Sequence, residues 1–241
     1  MALFGLFGSK PRPSGLKKHI ERVSNKRAID ADRWESIQVL SKAGTEEALE
    51  GLLLRFTVYV DSSITDQEEK NVVFDAVVNA GDMALEPVVR FLRRAESIAW
   101  PLKMLEALCE PEVVTDHLLD VLESMDTEYE RDPQRKIDVI VALGERRDPR
   151  LVLALRRFLE DSNETVRFSV VGSLLAQDDA ASAVSDLLAC YGQEESLRVR
   201  NRIVEGLAER QLAVPEARRA QVKDTLPKGY TLDGEGLVRR R

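Results

Sequence analysis

The feature that most constrains this chain is a spacing of 32 residues between successive leucines. Leu143, Leu175 and Leu207 each stand near the end of an apolar helical pattern, and 32 residues separate each from the next. A fixed period of this size, with one helix pair per period, is typical of a solenoid in which each pair buries its apolar side against its neighbours. The spacing therefore predicts an all-α structure of stacked helix pairs.

The same plan continues less regularly toward the N-terminus. Gly44, Gly81 and Pro111 follow the last apolar positions of three segments and mark the turns between helices. Thr45 and Asp82 are expected to cap the helices that come next. The longer connections, 57–66 and 126–133, are predicted to be loops. About six helix–turn–helix units are predicted, near residues 32–57, 66–95, 97–126, 132–161, 163–192 and 195–226.

The two ends of the chain differ from the repeats. Residues 1–14 combine an apolar tip with a basic, proline-containing stretch, which predicts a flexible tail. The solenoid is predicted over residues 15–226, and its first helix is basic and amphipathic and is expected to act as an N-terminal cap. Residues 227–241 surround an Asp-Gly pair at Asp233 and predict a small hairpin-like or irregular tail.

The composition argues against several classes of function. The chain has 241 residues and a net charge of −7, and an acidic surface opposes the phosphate contacts that nucleic-acid binding needs. Cys109 and Cys190 stand apart in apolar helical patterns, which indicates reduced core thiols and no zinc site. No apolar run reaches the roughly 18 residues of a membrane span, and no signal peptide is expected. We therefore expect a cytoplasmic protein without metal or cofactor.

The last three units carry a recognisable pattern. Val166-Arg167 and Val199-Arg200 open their first helices, and Leu175 and Leu207 close them. This resembles the Val-Arg-x-x-Ala-x-x-x-Leu pattern of short bacterial HEAT-like repeats, the type found in phycobilin-lyase-like proteins. The resemblance is clearest over residues 131–226 and implies a right-handed α-solenoid of the HEAT or armadillo kind.

The small residue of that family pattern has two possible positions here. It falls at Val170 and Ile203, or it is displaced to Gly172 and Gly206. Solenoids of this type include scaffolds, chromophore lyases and DNA-repair glycosylases. The resemblance therefore implies a fold and does not choose a function.

Six arginines on the predicted second helices form the candidate partner-binding site. In HEAT-like solenoids the second helix of each pair usually lines the concave face, and a guanidinium group suits carboxylates and phosphates. We hypothesise a basic stripe that grips an acidic peptide. The alternative is an ordinary solvated surface with pairs such as Arg156 with Glu160. The six are Arg90, Arg93, Arg94, Arg150, Arg156 and Arg157.

Acidic residues on one predicted helix lie between the arginine-bearing helices. Asp116, Asp120 and Glu123 share a face of the second helix of the third unit, where they can pair with arginines across the stack. A paired-carboxylate acid–base site is the alternative, but no nucleophile or metal-binding set stands near them in sequence. His19 and His117 are far apart and have no triad partners, so we do not expect them to be catalytic.

The two tryptophans have two interpretations. Trp34 and Trp100 open the first helices of the first and third units, where packing at the seam between repeats is expected. An exposed tryptophan on a solenoid would instead mark a binding hot spot.

The apolar tip has a possible docking role. Its apolar residues precede Lys10, Arg12, Lys17 and Lys18, so the segment can dock on an anionic membrane or in a partner's groove. A flexible tail without function is the alternative. The docking residues are Leu3, Phe4, Leu6 and Phe7.

The favoured function is that of a non-enzymatic scaffold or adaptor that binds a protein partner. An open stack of helix pairs offers a long, rigid surface, and binding to it requires little reorganisation. We expect no small-molecule substrate, and nucleic acid is not favoured as a partner. A chromophore or cofactor lyase and a DNA-binding repair protein of the HEAT-like glycosylase type are the alternatives.

Overall fold

The computed structural model describes residues 13–241 and places thirteen α-helices and one two-stranded hairpin in that range. Compactness divides the chain into two units, Met1–Val114 and Thr115–Arg241. The all-α class that the leucine spacing predicts is confirmed. The helices are α1 (Pro13–Val23), α2 (Asp30–Ala43), α3 (Glu46–Leu53), α4 (Ser63–Asn79), α5 (Asp82–Arg94), α6 (Ala99–Leu108), α7 (Pro111–Glu123), α8 (Gln134–Gly144), α9 (Leu151–Leu155), α10 (Glu164–Ala176), α11 (Val184–Gln193), α12 (Leu197–Glu209) and α13 (Glu216–Thr225). The strands are β1 (Tyr230–Leu232) and β2 (Val238–Arg240).

The first unit alternates two rows of helices. The first helices of successive pairs, α2, α4 and α6, pack against one another, and the second helices α3 and α5 form a parallel row. Helix α1 packs on α2 and α3 and buries Leu16 and Val23 against them. This arrangement buries one apolar side of each helix within the stack and leaves the opposite side to solvent.

The second unit repeats the plan with shorter second helices. The first helices α8, α10 and α12 form one row, and α11 packs on the 3-10 turn Arg156–Glu160 that continues α9. The leucines that define the period lie in this core, since Leu143, Leu175 and Leu207 are only 0%, 5% and 1% exposed. Each of the three leucines is therefore a core residue of its first helix, although the equivalent buried positions Val139, Val170 and Ile203 are 31 and 33 residues apart.

Close approach between first helices requires small residues at particular positions. A Cβ atom on Gly206 would lie 2.0 Å from a methyl carbon of Leu175, and one on Gly144 would lie 2.3 Å from Ser173 Oγ. Gly206 is therefore the small residue of its repeat. Val170 and Ile203 are instead fully buried core residues.

Side-chain caps fix where several helices begin. Thr45 Oγ1 accepts a hydrogen bond from the backbone N–H of Ala48 at 3.3 Å, which confirms the predicted cap of α3. Asp82 forms no such cap, because Gly81 with φ +58° stands at the N-cap position of α5. Ser62 accepts from the N–H of Thr65 at 3.3 Å. That bond starts α4 at residue 63, inside the segment predicted to be a loop.

The C-terminal residues form a hairpin that packs on the last helices. Strands β1 and β2 pair antiparallel, with Thr231 opposite Arg239, and they contact α13 and α12 respectively. Asp233 Oδ1 accepts hydrogen bonds from the N–H groups of Glu235 and Leu237 at 3.0 and 2.8 Å. These bonds fix the turn, and the burial of Val238 attaches the hairpin to the unit.

Candidate functional site

The first unit contains a buried network of five charged side chains. Glu69 Oε2 accepts hydrogen bonds from Arg33 Nε and Arg55 Nε, each at 2.7 Å. Asp66 accepts from Arg55 Nη2 and from Lys70 Nζ, also at 2.7 Å. All five are buried, so each charge is paired inside the unit, although Glu69 Oε1 is buried without a hydrogen-bond partner. We call Arg33, Arg55, Asp66, Glu69 and Lys70 the buried charge network.

Hydrogen bonds set the protonation state of the network. Burial alone raises the pKa of Asp66, but hydrogen bonds from Lys70 and Arg55 lower it overall. The pKa of Arg33 is raised: burial opposes the charge, and bonds to Glu69 and Asp30 outweigh that effect. Asp66 and Arg33 are therefore charged at neutral pH. The network holds α2, α4 and the 3-10 turn Leu54–Thr57 together.

The second unit uses separate ion pairs at the start of its first helices. Lys136 Nζ lies 2.9 Å from Asp161 Oδ2, and both side chains are about 1% exposed. Arg167 makes a two-pronged bond to Glu194, with its Nε and Nη2 at 2.7 and 2.8 Å from the two carboxylate oxygens. That bond lowers the pKa of Glu194. Lys136 and Arg167 thus each connect the first helix of a pair to the carboxylate that lies just before the first helix of the next pair.

The positions of these ion pairs correct the alignment of repeats that the sequence suggests. A constant spacing of 32 residues would place Arg135 at the position of Arg167, but Lys136 is the residue that reaches the buried carboxylate. Lys136 precedes the buried Val139 by three residues, just as Arg167 precedes Val170. An unrecognised shift of one residue between repeats hid the equivalence.

A cleft of about 500 Å³ opens beside these pairs in the second unit. It lies between the 3-10 turn Arg156–Glu160 and α11, and Leu159 and Cys190 contribute to its wall. The Cys190 thiol donates to the Leu159 carbonyl at 3.7 Å. Burial and the nearby charge of Glu194 raise the pKa of Cys190 to about 11, so the thiol is protonated at neutral pH. The cleft is therefore not built for thiolate chemistry.

Carboxylates outnumber cations along the cleft. Asp161 and Glu194 are buried and already paired with Lys136 and Arg167. The carboxylates near the mouth have no hydrogen bond or ion pair in the part of the chain that the structure describes, and neither does Arg156. We call Glu160, Asp186 and Glu195 the rim carboxylates.

Residues 115–208, which contain the cleft, match the family model described as HEAT repeats. This segment is similar to HEAT repeats. The match confirms the predicted resemblance over most of the second unit, while membership of the phycobilin-lyase-like type stays a prediction. No curated protein matches the chain with significant similarity.

The six arginines proposed from the sequence have different environments. Arg90 on α5 pairs with Glu46, Glu50 and Glu86 of its own unit. Arg93 and Arg94 lie exposed at the end of α5. The two units each contribute three of the six, and convergence on one stripe stays a prediction.

In the HEAT repeats, Arg150 and Arg157 bind α7. Arg150 Nη2 lies 2.7 Å from both Asp116 and Asp148, so Asp116 does pair with an arginine across the stack. Arg157 Nη2 donates to the carbonyls of Leu122 and Met125 at 2.8 and 2.9 Å, near the C-terminal end of α7. Such bonds satisfy carbonyls that have no partner within the helix. Arg156 is the member of the set that lies at the cleft.

The remaining sequence candidates differ in their surroundings. His19 Nδ1 lies 3.1 Å from Ser36 Oγ and links α1 to α2. Trp100 packs on Phe56 with ring centres 4.8 Å apart, whereas Trp34 is 42% exposed. Leu3, Phe4, Leu6 and Phe7 lie outside the described residues.

Residues 13–241 contain neither a metal-binding cluster nor a membrane-spanning helix. No group of three or more His, Cys, Asp or Glu residues there is arranged to hold a metal ion. Within the same range, every helix is too short or too polar to cross a lipid bilayer.

Sequence reasoning missed the cleft and the buried pairs for one reason. The sequence shows that Asp161, Glu194 and Lys136 are charged, and charged residues in a helical repeat are usually solvated. The available signal was positional: each acidic residue stands two residues before the Ser or Asn that caps the next first helix.

Proposed function

We propose that this chain is a non-enzymatic scaffold or adaptor that binds a protein partner through its HEAT repeats. HEAT repeats commonly mediate protein–protein interaction. The observation that carries the proposal is the cleft of about 500 Å³ on the second-helix side of the matched segment. A cleft of this size accepts one or two side chains of an extended peptide.

Charge favours a cationic segment of the partner. Within residues 13–241 no cation forms an ion pair with the rim carboxylates, and the solvated Arg156 is the cation that lines the same cleft without pairing to them. A partner lysine or arginine that enters the cleft gains charge-assisted hydrogen bonds without first breaking an internal pair. Complementary charge also increases the association rate and excludes acidic competitors.

The acidic-peptide hypothesis has less support from the geometry. Arg90 and Arg150 are neutralised by carboxylates of this chain, and Arg157 is bound to backbone carbonyls. An acidic peptide would have to displace those partners. Arg94 and Arg156 remain available for such a peptide, which makes the two hypotheses separable.

A selection experiment tests the proposal without knowledge of the natural partner. The full chain is used to select from a displayed library of random 12-residue peptides, and the affinity of enriched peptides is measured by calorimetry. We expect enrichment of Lys and Arg, and at least tenfold weaker binding to the variant Glu160→Lys/Asp186→Lys/Glu195→Lys. The matched control is Glu68→Lys/Asp75→Lys/Glu96→Lys, which reverses three exposed carboxylates of the first unit.

Two results would contradict the cationic-segment proposal. One is enrichment of acidic peptides whose binding is lost in Arg94→Glu/Arg156→Glu, which would favour the basic-stripe hypothesis. The other is equal loss of binding in the rim variant and in the control, which would show general charge attraction without a specific site.

A lyase is the second candidate, and one observation favours it. The cleft volume falls within the range of small-molecule sites, roughly 300 to 1,000 Å³. Its charged lining and its protonated Cys190 thiol speak against covalent chemistry at the cleft. Addition of a phycobilin to the protein tests the idea, because a bound chromophore would change its visible absorption and the rim variant would abolish that change.

A further inference from the structure

Two arginines and one aromatic ring meet at the surface between α10 and α12. Phe168 lies on α10, and Arg198 and Arg202 lie one helical turn apart on the neighbouring α12. The guanidinium carbon of Arg198 is 3.9 Å from the centre of the Phe168 ring, and that of Arg202 is 6.0 Å from it. Both side chains therefore reach from α12 to the same ring. We call Phe168, Arg198 and Arg202 the arginine–phenylalanine cluster.

Arg202 has hydrogen-bond donors that the chain leaves unused. Its Nε is buried without a hydrogen-bond partner, and no carboxylate pairs with it in the part of the chain that the structure describes. A Cβ atom on Gly172 would lie 3.5 Å from Arg202 Nη2, so the guanidinium group lies against the backbone of α10. A cation that is partly removed from water without a partner costs free energy. An anion that approaches this guanidinium group would offset that cost.

Arg198 also keeps its donors available. Its Nη1 lies 3.9 Å from Glu164 Oε1, which is too long for a hydrogen bond. The same carboxylate oxygen already accepts a hydrogen bond from Ser196 Oγ at 2.8 Å. The Arg198 side chain is 52% exposed, so a ligand can reach it from solvent. Because a guanidinium group donates in its own plane, contact of its face with an aromatic ring leaves the N–H groups free.

The charges around the cluster favour a small, concentrated anion. Glu164 lies beside Arg198, and Glu205 follows Arg202 by three residues on α12. These carboxylates would repel an extended polyanion, and nucleic-acid binding needs a surplus of cations. A phosphomonoester carries close to two negative charges on three acceptor oxygens, so it can bind two guanidinium groups at once.

We propose that the arginine–phenylalanine cluster binds a phosphomonoester group carried by a phosphorylated segment of a protein. The phosphate oxygens accept hydrogen bonds from Arg198 and Arg202, and Phe168 holds both guanidinium groups in place. None of these three residues lines the cleft. The site is therefore additional to the proposed binding of a cationic segment and does not depend on it. A free phosphate ion has the same binding chemistry, and the experiment below separates the two sources.

An NMR titration of the full, ¹⁵N-labelled chain tests the proposal. The probes are an otherwise neutral peptide with one phosphoserine, the same peptide with serine or glutamate at that position, and inorganic phosphate. The variants are Arg198→Gln/Arg202→Gln, Arg202→Lys and Phe168→Leu. The matched control, Arg131→Gln/Arg218→Gln, removes two exposed arginines of the same unit. The spectrum of each variant without ligand verifies that it is folded.

The expected results follow from the two guanidinium groups. The phosphopeptide should shift resonances of α10 and α12, and Arg198→Gln/Arg202→Gln should weaken its binding at least about tenfold. Arg202→Lys keeps the charge but loses the planar set of donors, so a loss of about threefold is expected. Phe168→Leu should also cost about threefold, because the ring no longer orients the arginines. The control should change binding less than about twofold.

The pH dependence of binding provides a further test. The second proton of a phosphomonoester dissociates near pH 6, so affinity for the phosphopeptide should rise between about pH 5 and 7. The glutamate peptide should show no such rise, because its carboxylate is already charged over that range. Inorganic phosphate that bound as tightly as the phosphopeptide, and was lost in the same double variant, would support the anion site and identify the free ion as its ligand.

Three results would overturn the proposal. The first is equal affinity for the glutamate and phosphoserine peptides, which would show ordinary charge attraction. The second is phosphopeptide binding that is undiminished in Arg198→Gln/Arg202→Gln or equally reduced in the control, which would leave the two arginines with the sole role of covering Phe168. The third is tighter binding of a DNA duplex than of the phosphopeptide, weakened by the same double variant, which would assign the cluster to nucleic acid.

Discussion

The two units bury charge in different ways. In the first unit, five side chains form one closed network, and Glu69 bridges Arg33 and Arg55 at 2.7 Å each. In the second unit the charges form separate pairs, such as Lys136 with Asp161 and Arg167 with Glu194. The network in the first unit connects α2, α4 and the turn after α3 at one point. The separate ion pairs of the second unit are distributed along its row of first helices.

Under the proposed function, this difference determines where the partner binds. In the buried charge network every carboxylate is bonded to a cation inside the unit, so little attraction remains for an external ligand. In the second unit the paired carboxylates Asp161 and Glu194 line the cleft, and the rim carboxylates that also line it form no ion pair within residues 13–241. The ion pairs Lys136–Asp161 and Arg167–Glu194 thus fix the shape of the cleft, and the rim carboxylates supply its free negative charge.

Breaking the buried charge network should have the largest effect on stability. Arg55→Met leaves Glu69 and Asp66 buried with fewer cations, and removal of one partner of a buried ion pair costs about 3–5 kcal/mol. Urea unfolding of the full chain measures the loss of stability. Hydrogen-exchange mass spectrometry assigns it to a unit, since only the first unit should lose protection.

Arg94→Met serves as the control, because Arg94 is exposed in the same unit and holds no ion pair within the described residues. A cost below about 1 kcal/mol for Arg55→Met would refute the idea that the network stabilises the first unit, because ordinary surface substitutions stay within about 0.5 kcal/mol.

Breaking a single pair in the second unit should cost less. Arg167→Met removes the two-pronged bond to Glu194, and a hydrogen bond to a charged group contributes about 2 kcal/mol. Arg167 is only partly buried, so water can solvate the remaining carboxylate. The same unfolding assay measures the change, with Arg156→Met as the control from the cleft rim. Equal costs for Arg55→Met and Arg167→Met would remove the contrast between the units.

The fold was predictable from sequence because its determinants are local and repeated. Apolar periodicity, the stop after Gly44 and the cap at Thr45 each act within a few residues, and the structure confirms them. The start of α4 was misplaced because the Ser62 cap was not recognised before a polar first turn. Helix propensity alone does not distinguish a polar first turn of a helix from a loop.

The candidate site was less predictable because it depends on contacts between repeats. Arginine on a second helix looks the same in sequence whether it is free, as Arg156 is, or bound to α7, as Arg150 is. The partner of Arg150, Asp116, stands 34 residues away, and only the stacking of helix pairs brings the two together. Prediction of an ion pair across the stack therefore requires the correct alignment of the repeats. The one-residue shift at Lys136 obscured that alignment.

Acidification should weaken the ion pairs in both units. The lowered pKa values of Glu194 and Asp66 mean that their stabilisation is present above the pKa values of the unfolded chain, near 4.5 and 3.8. It is lost as pH falls through the lower folded values. Conversion of a charge-assisted bond to a neutral one costs on the order of 1 kcal/mol. The stability difference between the native chain and Arg167→Met should therefore be constant from pH 5 to 7 and should narrow below about pH 4. A difference that stays constant to pH 2 would show that Glu194 does not act through its charge.

Neutralising the rim should have the smallest effect on stability and a large effect on binding. Glu160→Gln/Asp186→Asn removes two charges that form no ion pair within the described residues, so the free energy of unfolding should change by less than about 0.5 kcal/mol. Binding of a selected cationic peptide should fall about tenfold, because the rim supplies its charge-assisted bonds. Glu68→Gln/Asp75→Asn in the first unit is the matched control for both measurements. If the rim variant unfolded as readily as Arg167→Met, the rim carboxylates would be part of the structural pairing. The distinction between a charge that shapes the cleft and a charge that serves a partner would then be wrong.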